Sequence, residues 1–128
     1  MLFEKILRIE KLPFDAGRIA VSCDVGEGRW VDMTYGELVE IVGEVGRILG
    51  ESGVRKGDRI LLVGENHYKW LPVFLGITGY GAVAVPVDGM LADKRLLGII
   101  ENCKPRVIIT SKKFQDKTVA LVDQLDAM

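Results

Sequence analysis

Residues 58–89, DRILLVGENHYKWLPVFLGITGYGAVAVPVDG, decide the fold. Ile60, Leu61, Leu62 and Val63 form an unbroken apolar run, the pattern of a strand covered on both faces in a parallel sheet. A helix follows, with Asn66 as its cap and Trp70, Leu71, Phe74, Leu75 and Ile77 along it to about Tyr80. Pro72 suits that helix only near its first turn, where few backbone donors are missed. Ala82 to Val85 reads as the next strand, closed by Pro86. Together these segments form a strand–helix–strand unit.

The pattern continues on both sides. Downstream, a helix from about Ala92 to Cys103 carries Leu96, Leu97, Ile100 and Cys103 on one face, with Pro105 beyond its end. Val107, Ile108 and Ile109 are a third buried-type strand. Ser111 is placed to cap a final helix striped by Phe114, Thr118, Leu121, Val122 and Leu125. Upstream, Thr34 and Glu37 have the spacing of a capping box. The helix behind it is striped by Leu38, Ile41, Val42, Val45, Ile48 and Leu49, and Gly53 ends it in a left-handed turn. Gly43, Gly46 and Gly50 inside that helix each cost roughly 1 kcal/mol relative to Ala, so another backbone is expected to approach it closely. Arg18–Asp24 and Trp30–Met33 read as a hairpin turning at Gly26-Glu27-Gly28. Residues 1–11 are an amphipathic start with Leu2, Phe3, Ile6 and Leu7 at helical spacing, stopped by Pro13. The expectation is an α/β fold of three layers: a mostly parallel sheet, flanking helices and an N-terminal β-hairpin, with crossovers of right-handed sense.

Composition narrows the function classes. The sequence has 128 residues, the scale of one domain. Seventeen Lys and Arg balance eighteen Asp and Glu for a net charge of −1, which argues against nucleic-acid binding. With 48% apolar residues the chain can bury a core. Its apolar runs fall short of the ~20 residues of a membrane span, and no charged-then-apolar leader opens it. Cys23 and Cys103 match no metal spacing and read as lone thiols of a reducing, cytoplasmic compartment.

In an open parallel sheet, ligands bind beyond the carboxyl ends of the strands. Three loops fall there: Gly64-Glu65-Asn66-His67, Pro86-Val87-Asp88-Gly89 and Thr110-Ser111-Lys112. Glu65, His67 and Asp88 offer acid–base or polar groups. Equally, Asn66 and Ser111 serve as caps, Asp88 fixes a turn, and His67, the single histidine, sits solvated in a helix first turn. Lys112 and Lys113 read as a solvated face, and Trp70 and Tyr80 as core or interface residues. No GxSxG, GxxxxGK[ST] or GxGxxG motif occurs. Read from its residues, the chain has a fold and no catalytic constellation.

Five segments in order carry a resemblance. Met33-Thr34-Tyr35-Gly36-Glu37-Leu38, Gly53-Val54-Arg55-Lys56-Gly57-Asp58-Arg59-Ile60, Glu65-Asn66 with Trp70-Leu71-Pro72-Val73-Phe74-Leu75-Gly76, Gly81-Ala82-Val83-Ala84-Val85-Pro86-Val87-Asp88 and Lys104–Ser111 resemble the N-terminal part of the adenylate-forming (AMP-binding) superfamily of acyl-CoA synthetases, luciferases and peptide-synthetase adenylation domains. The resemblance implies an ATP-dependent carboxylate ligase that forms an acyl-adenylate and then a thioester, with ATP, magnesium and coenzyme A in the full-length enzyme. It also implies that residues 1–128 are a single partial domain lacking the phosphate loop and the small C-terminal domain. No catalytic, metal or cofactor-binding residue carries over, and the fragment alone is expected to be inactive. Asn66 and Asp88 are the candidates to border the substrate or thiol channel. The partners implied are the rest of the parent ligase, or further copies through the exposed apolar surface of the glycine-bearing or final helix. The alternatives are a free-standing flavodoxin-like module binding a small anion, and a scaffold subunit of a split ligase.

Overall fold

The computed structural model describes residues 15–65 and 67–127. In order, its elements are Ile19–Asp24 (β1), Trp30–Thr34 (β2), Tyr35–Glu51 (α1), Arg59–Gly64 (β3), Trp70–Tyr80 (α2), Val83–Asp88 (β4), Asp93–Cys103 (α3), Val107–Thr110 (β5) and Gln115–Asp126 (α4), with a 3-10 turn at Lys112–Phe114 before the last helix. The amphipathic start and Asn66 lie outside the described residues.

Strand β3 takes the centre of a parallel sheet ordered β4–β3–β5. Its side chains alternate between two apolar layers. Ile60 and Leu62 join Val45 and Leu49 of α1 and Ile77 of α2. Leu61 and Val63 join Leu96 and Ile100 of α3 and Leu121 of α4. Ile60, Leu61 and Val63 are fully buried, each worth roughly 1.5–3 kcal/mol. The three layers are those expected from the unbroken apolar run. The crossover β3–α2–β4 steps one way along the sheet over the α1–α2 face. The crossover β4–α3–β5 steps back past β3 over the other face, so both share one hand.

Several expectations are corrected. Strand β4 does not close at Pro86 but passes through it to Asp88, pairing Leu62 with Pro86 and Gly64 with Asp88. The ladder tolerates the missing N–H because β4 lies at a sheet edge. Helix α2 begins at Trp70, with no side-chain cap at Lys69, and Pro72 falls in its first turn. The close approach expected at Gly43, Gly46 and Gly50 is not there. A Cβ at Gly43 or Gly46 would meet nothing within 4 Å, and one at Gly50 only the Tyr80 ring at ordinary contact distance. The tight glycine is Gly76 on the facing helix, where a Cβ would sit 2.6 Å from Val45 Cβ and 3.2 Å from the Val42 carbonyl oxygen.

The N-terminal hairpin is antiparallel, with an irregularity between Ile19 and Val21. Its turn carries positive φ at Gly26, Glu27 and Gly28, and the Asp24 carboxylate accepts from the Gly26 N–H at 2.9 Å. The capping box forms as the sequence indicates. Thr34 Oγ1 accepts from the Glu37 N–H and Glu37 Oε2 accepts from the Thr34 N–H, both at 3.2 Å. Gly53 follows the helix end at φ 75°. On the solvent side of α1, Arg47 bridges Glu44 and Glu51 at 2.5 and 2.7 Å. Hydrogen bonding and charge from Arg47 hold the Glu44 carboxyl below its usual range. Its small contribution is therefore present at neutral pH and lost as pH falls through the carboxylate range.

Gly76→Ala is expected to destabilise the chain by about 1–3 kcal/mol through overpacking against Val45. Gly43→Ala, in open space, is expected to stabilise it by up to about 1 kcal/mol. Urea denaturation of the two variants checks which helix supplies the close approach. A second expectation is that Thr34→Ala costs about 0.5–2 kcal/mol by removing the α1 cap.

Candidate functional site at the carboxyl edge of the sheet

The loop after β3 leaves toward the α1–α2 face, whereas the loops after β4 and β5 leave toward the α3–α4 face. Neighbouring strands whose exits diverge open a crevice between them, the usual ligand position in such sheets. Here β3 has a divergent neighbour on each side, and a hollow lies at both places.

Between β3 and β5 is a cavity of about 390 Å³ whose lining includes Glu65, His67, Trp70, Ile109, Ser111 and Lys112. Between β3 and β4 is a shallower depression of about 440 Å³ lined by Gly64, Glu65, Trp70, Pro86, Val87 and Asp88. Glu65 and Trp70 belong to both. A third hollow, of about 460 Å³, brings Cys23, Asp24 and Arg29 of the hairpin region against Glu65, His67 and Tyr68. That hairpin contribution has no signal in sequence spacing, because it depends on where the two-stranded unit docks.

The individual groups are tied down by ordinary interactions. Asp88 Oδ1 accepts from the Met90 N–H at 2.9 Å, a local turn bond that leaves the carboxylate exposed. Glu65 pairs with Lys113 at 3.3 Å beside the β3–β5 cavity that both line. His67 precedes α2 rather than opening it, stacks on Tyr68, and accepts from the Lys69 N–H through Nδ1 at 3.1 Å. Its hydrogen-bond partner at Nδ1 is thus backbone and not a nucleophile. Ser111 does not cap the final helix: the 3-10 turn intervenes, and its Oγ is buried without a hydrogen-bond partner among the described residues. Trp70 and Tyr80 pack on the core as expected. Tyr80 donates to the Val54 carbonyl at 2.6 Å, and Trp70 stacks on Phe74.

The sequence reading missed what holds the β4–α3 loop. Lys117 Nζ, on α4, donates to the Gly89 and Leu91 carbonyls at 2.8 and 2.5 Å and lies 3.6 Å from Asp93 Oδ1. Gly89 itself is buried against Phe114, whose ring occupies the space a Cβ would need. The edge therefore has a rigid, apolar-floored pair of hollows rimmed by Glu65, Asp88, His67 and Lys112. Among the described residues it does not assemble a nucleophile with a base.

An open α/β sheet with crevices at divergent strand exits defines a ligand-binding class of fold. Residues 13–127 match the AMP-binding enzyme family, and the chain belongs to that family. The resemblance drawn from the five sequence segments is thereby borne out. The NRPS-like tryptophan epimerase fscC of Fusarium equiseti is 30% identical over 95 residues, covering 74% of this chain and 6% of that protein. The crotonobetaine/carnitine–CoA ligase of Citrobacter koseri is 26% identical over 97 residues, 76% of this chain and 19% of that enzyme. The crystal structure of ATP-bound MatB from Rhodopseudomonas palustris shares the fold at a TM-score of 0.77 and 24% identity, over 96% of this chain and 23% of that one. The fatty acyl CoA synthetase of Mycobacterium tuberculosis aligns at a TM-score of 0.64 and 28% identity, over 77% of this chain and 19% of that one. The chain thus spans between 6% and 23% of the length of these relatives.

ATP and magnesium are the groups the family implies. The residues present do not fit them. The sequence has no Ser/Thr/Gly-rich loop followed by Lys. No cluster of three or more His, Cys, Asp or Glu side chains is placed for a metal ion among the described residues. No reaction step is assigned to this chain on their account.

Lys117→Met is expected to cost about 1–3 kcal/mol by stranding two loop carbonyls. Amide hydrogen exchange should quicken at Gly89–Leu91 before it does in β3. Unchanged exchange there would show that Lys117 does not hold the loop.

Proposed function

We propose that this chain is the scaffold portion of the large domain of an acyl-CoA-synthetase-like ligase: a single partial domain that positions the carboxyl-edge hollows, while the residues that activate a carboxylate with ATP lie in polypeptide outside it. The observation that carries the reading is the match over residues 13–127 combined with the small share of each relative that the chain spans. The CoA-ligase names among those relatives favour a carboxylic acid substrate and a thiol acceptor for the intact enzyme. In such an enzyme Asp88, exposed beside the β3–β4 hollow, and Asn66 would border the channel rather than act on the reacting atoms. The partner is the remainder of the ligase, in the same chain or as a second subunit. No described helix is long and apolar enough to cross a membrane, which accords with the cytoplasmic setting we propose.

Adenylation needs charge neutralisation on the phosphates and in-line placement of the attacking carboxylate. The purified chain is therefore expected to show no carboxylate-dependent ATP–pyrophosphate exchange, and measurable exchange would overturn the scaffold reading. Titration with nucleotides, coenzyme A and acyl phosphates, followed by Trp70 fluorescence, separates the readings further. Saturable micromolar binding would favour a free-standing binding module. At high concentration the isolated chain is expected to self-associate through exposed side chains such as Ile48, Leu71 and Val119. Light scattering reads this directly.

A further inference from the structure

The loop between β4 and α3 is organised around a positive charge. Its N–H groups bond close at hand: Gly89 donates to the Gly64 carbonyl at 3.0 Å, Met90 to Asp88 Oδ1 at 2.9 Å and Leu91 to the Asp88 carbonyl at 3.2 Å. The Gly89 and Leu91 carbonyls converge instead on the Lys117 ammonium of α4, 28 and 26 residues away in sequence. Asp93 Oδ1 lies 3.6 Å from the same nitrogen. Two carbonyl oxygens and a carboxylate around one centre are the donors that hard cations take.

Nothing else at this place calls for a cation. Asp93 opens α3, and the first turn of a helix carries partial positive charge that repels an ammonium. The Phe114 ring, packed where a Gly89 Cβ would sit, brings the loop against α4 but offers its carbonyls no donor. A lysine stem can pack by its methylenes and leave the head in water. Here the head is turned inward and spends two of its three N–H donors on the loop.

The contact reaches further than the loop. The Gly89 N–H ties the loop to the end of β3, and Gly64 pairs with Asp88 in register. Gly64 and Asp88 both line the β3–β4 hollow, together with Glu65, Trp70, Pro86 and Val87. One charge on α4 therefore sets a wall of a hollow that is lined from β3, β4 and α2.

We infer that the β4–α3 loop is a cation site which the chain fills with its own Lys117 ammonium, and that the vacated site takes a primary alkylammonium ion. The loop is held by charge and N–H donation rather than by packing, and Lys117 is a positioning residue for Asp88. Only the bearing of Asp88 on a channel rests on the scaffold reading; the site itself rests on the loop geometry.

Amide hydrogen exchange at Gly89–Leu91 tests this, with the β3 amides reporting global opening. Lys117→Ala is expected to speed exchange in the loop by at least about tenfold while β3 is unchanged. Methylammonium chloride at about 0.1 M should slow it again by at least about threefold. Tetramethylammonium chloride at equal concentration, charged but without N–H donors, should not. In Lys117→Met, whose side chain fills the vacated space without charge, the loop should exchange fast in either salt. Where Lys117→Ala is less stable throughout, its thermal midpoint replaces exchange as the readout, and methylammonium should raise it above tetramethylammonium. Native-like exchange in Lys117→Met would make packing the holder and overturn the inference. An equal effect of the two salts on Lys117→Ala, which is general screening, would overturn it too, as would rescue of Lys117→Met. None of these readouts involves ATP–pyrophosphate exchange, so this inference and the scaffold reading fail separately.

Discussion

Four consecutive apolar residues, Ile60 to Val63, are each buried in an element whose side chains must alternate in direction. No single layer of helices satisfies that. The chain must cover both faces of β3, and it does so with α1 and α2 on one side and α3 and α4 on the other. Once β3 is central and covered twice, its exit loop and those of its neighbours are driven to opposite faces. The crevices at Gly64–Glu65 are a direct consequence. The candidate site is thus a product of core burial.

The layers are held at their spacing by a few close contacts rather than by bulk apolarity. Gly76 lets α2 lie against Val45 and the Val42 carbonyl, and Gly89 makes room for the Phe114 ring. Lys117 does the equivalent polar work, turning an amine toward two loop carbonyls that face away from any ladder. At the opposite edge of the sheet the basic residues have a structural reading. Arg59 donates to the Cys103 carbonyl at the end of α3, and Lys56 packs against Gly81 at the end of α2. Cations at helix C-termini are favoured by the partial negative charge there. That basic edge needs no ligand to account for it.

Much of the fold was legible before any coordinates. The capping box at Thr34 and Glu37, the order of strands and helices, and the assignment of the strands as parallel all rest on local patterns whose physics is local too. The site was legible only in part. Glu65, His67, Asp88 and Ser111 were placed at the correct edge, yet their partners were not. Lys113 reaches Glu65 from 48 residues away, and Lys117 reaches Gly89 from 28. Sequence offers no signal for such pairs, because each depends on how a helix docks against a distant loop.

The sequence by itself determined that β3 would be buried on both sides and hence that the chain would form three layers, since an unbroken apolar run has no other stable disposition in water. It also determined the family, through segments whose order survives where single residues do not. Tertiary structure alone decided which glycine admits the neighbouring helix, that β4 continues through Pro86, and that Lys117 holds the loop after it. Each of these turns on what lies a few ångströms away in space, and a residue's chemistry does not specify its non-local neighbours.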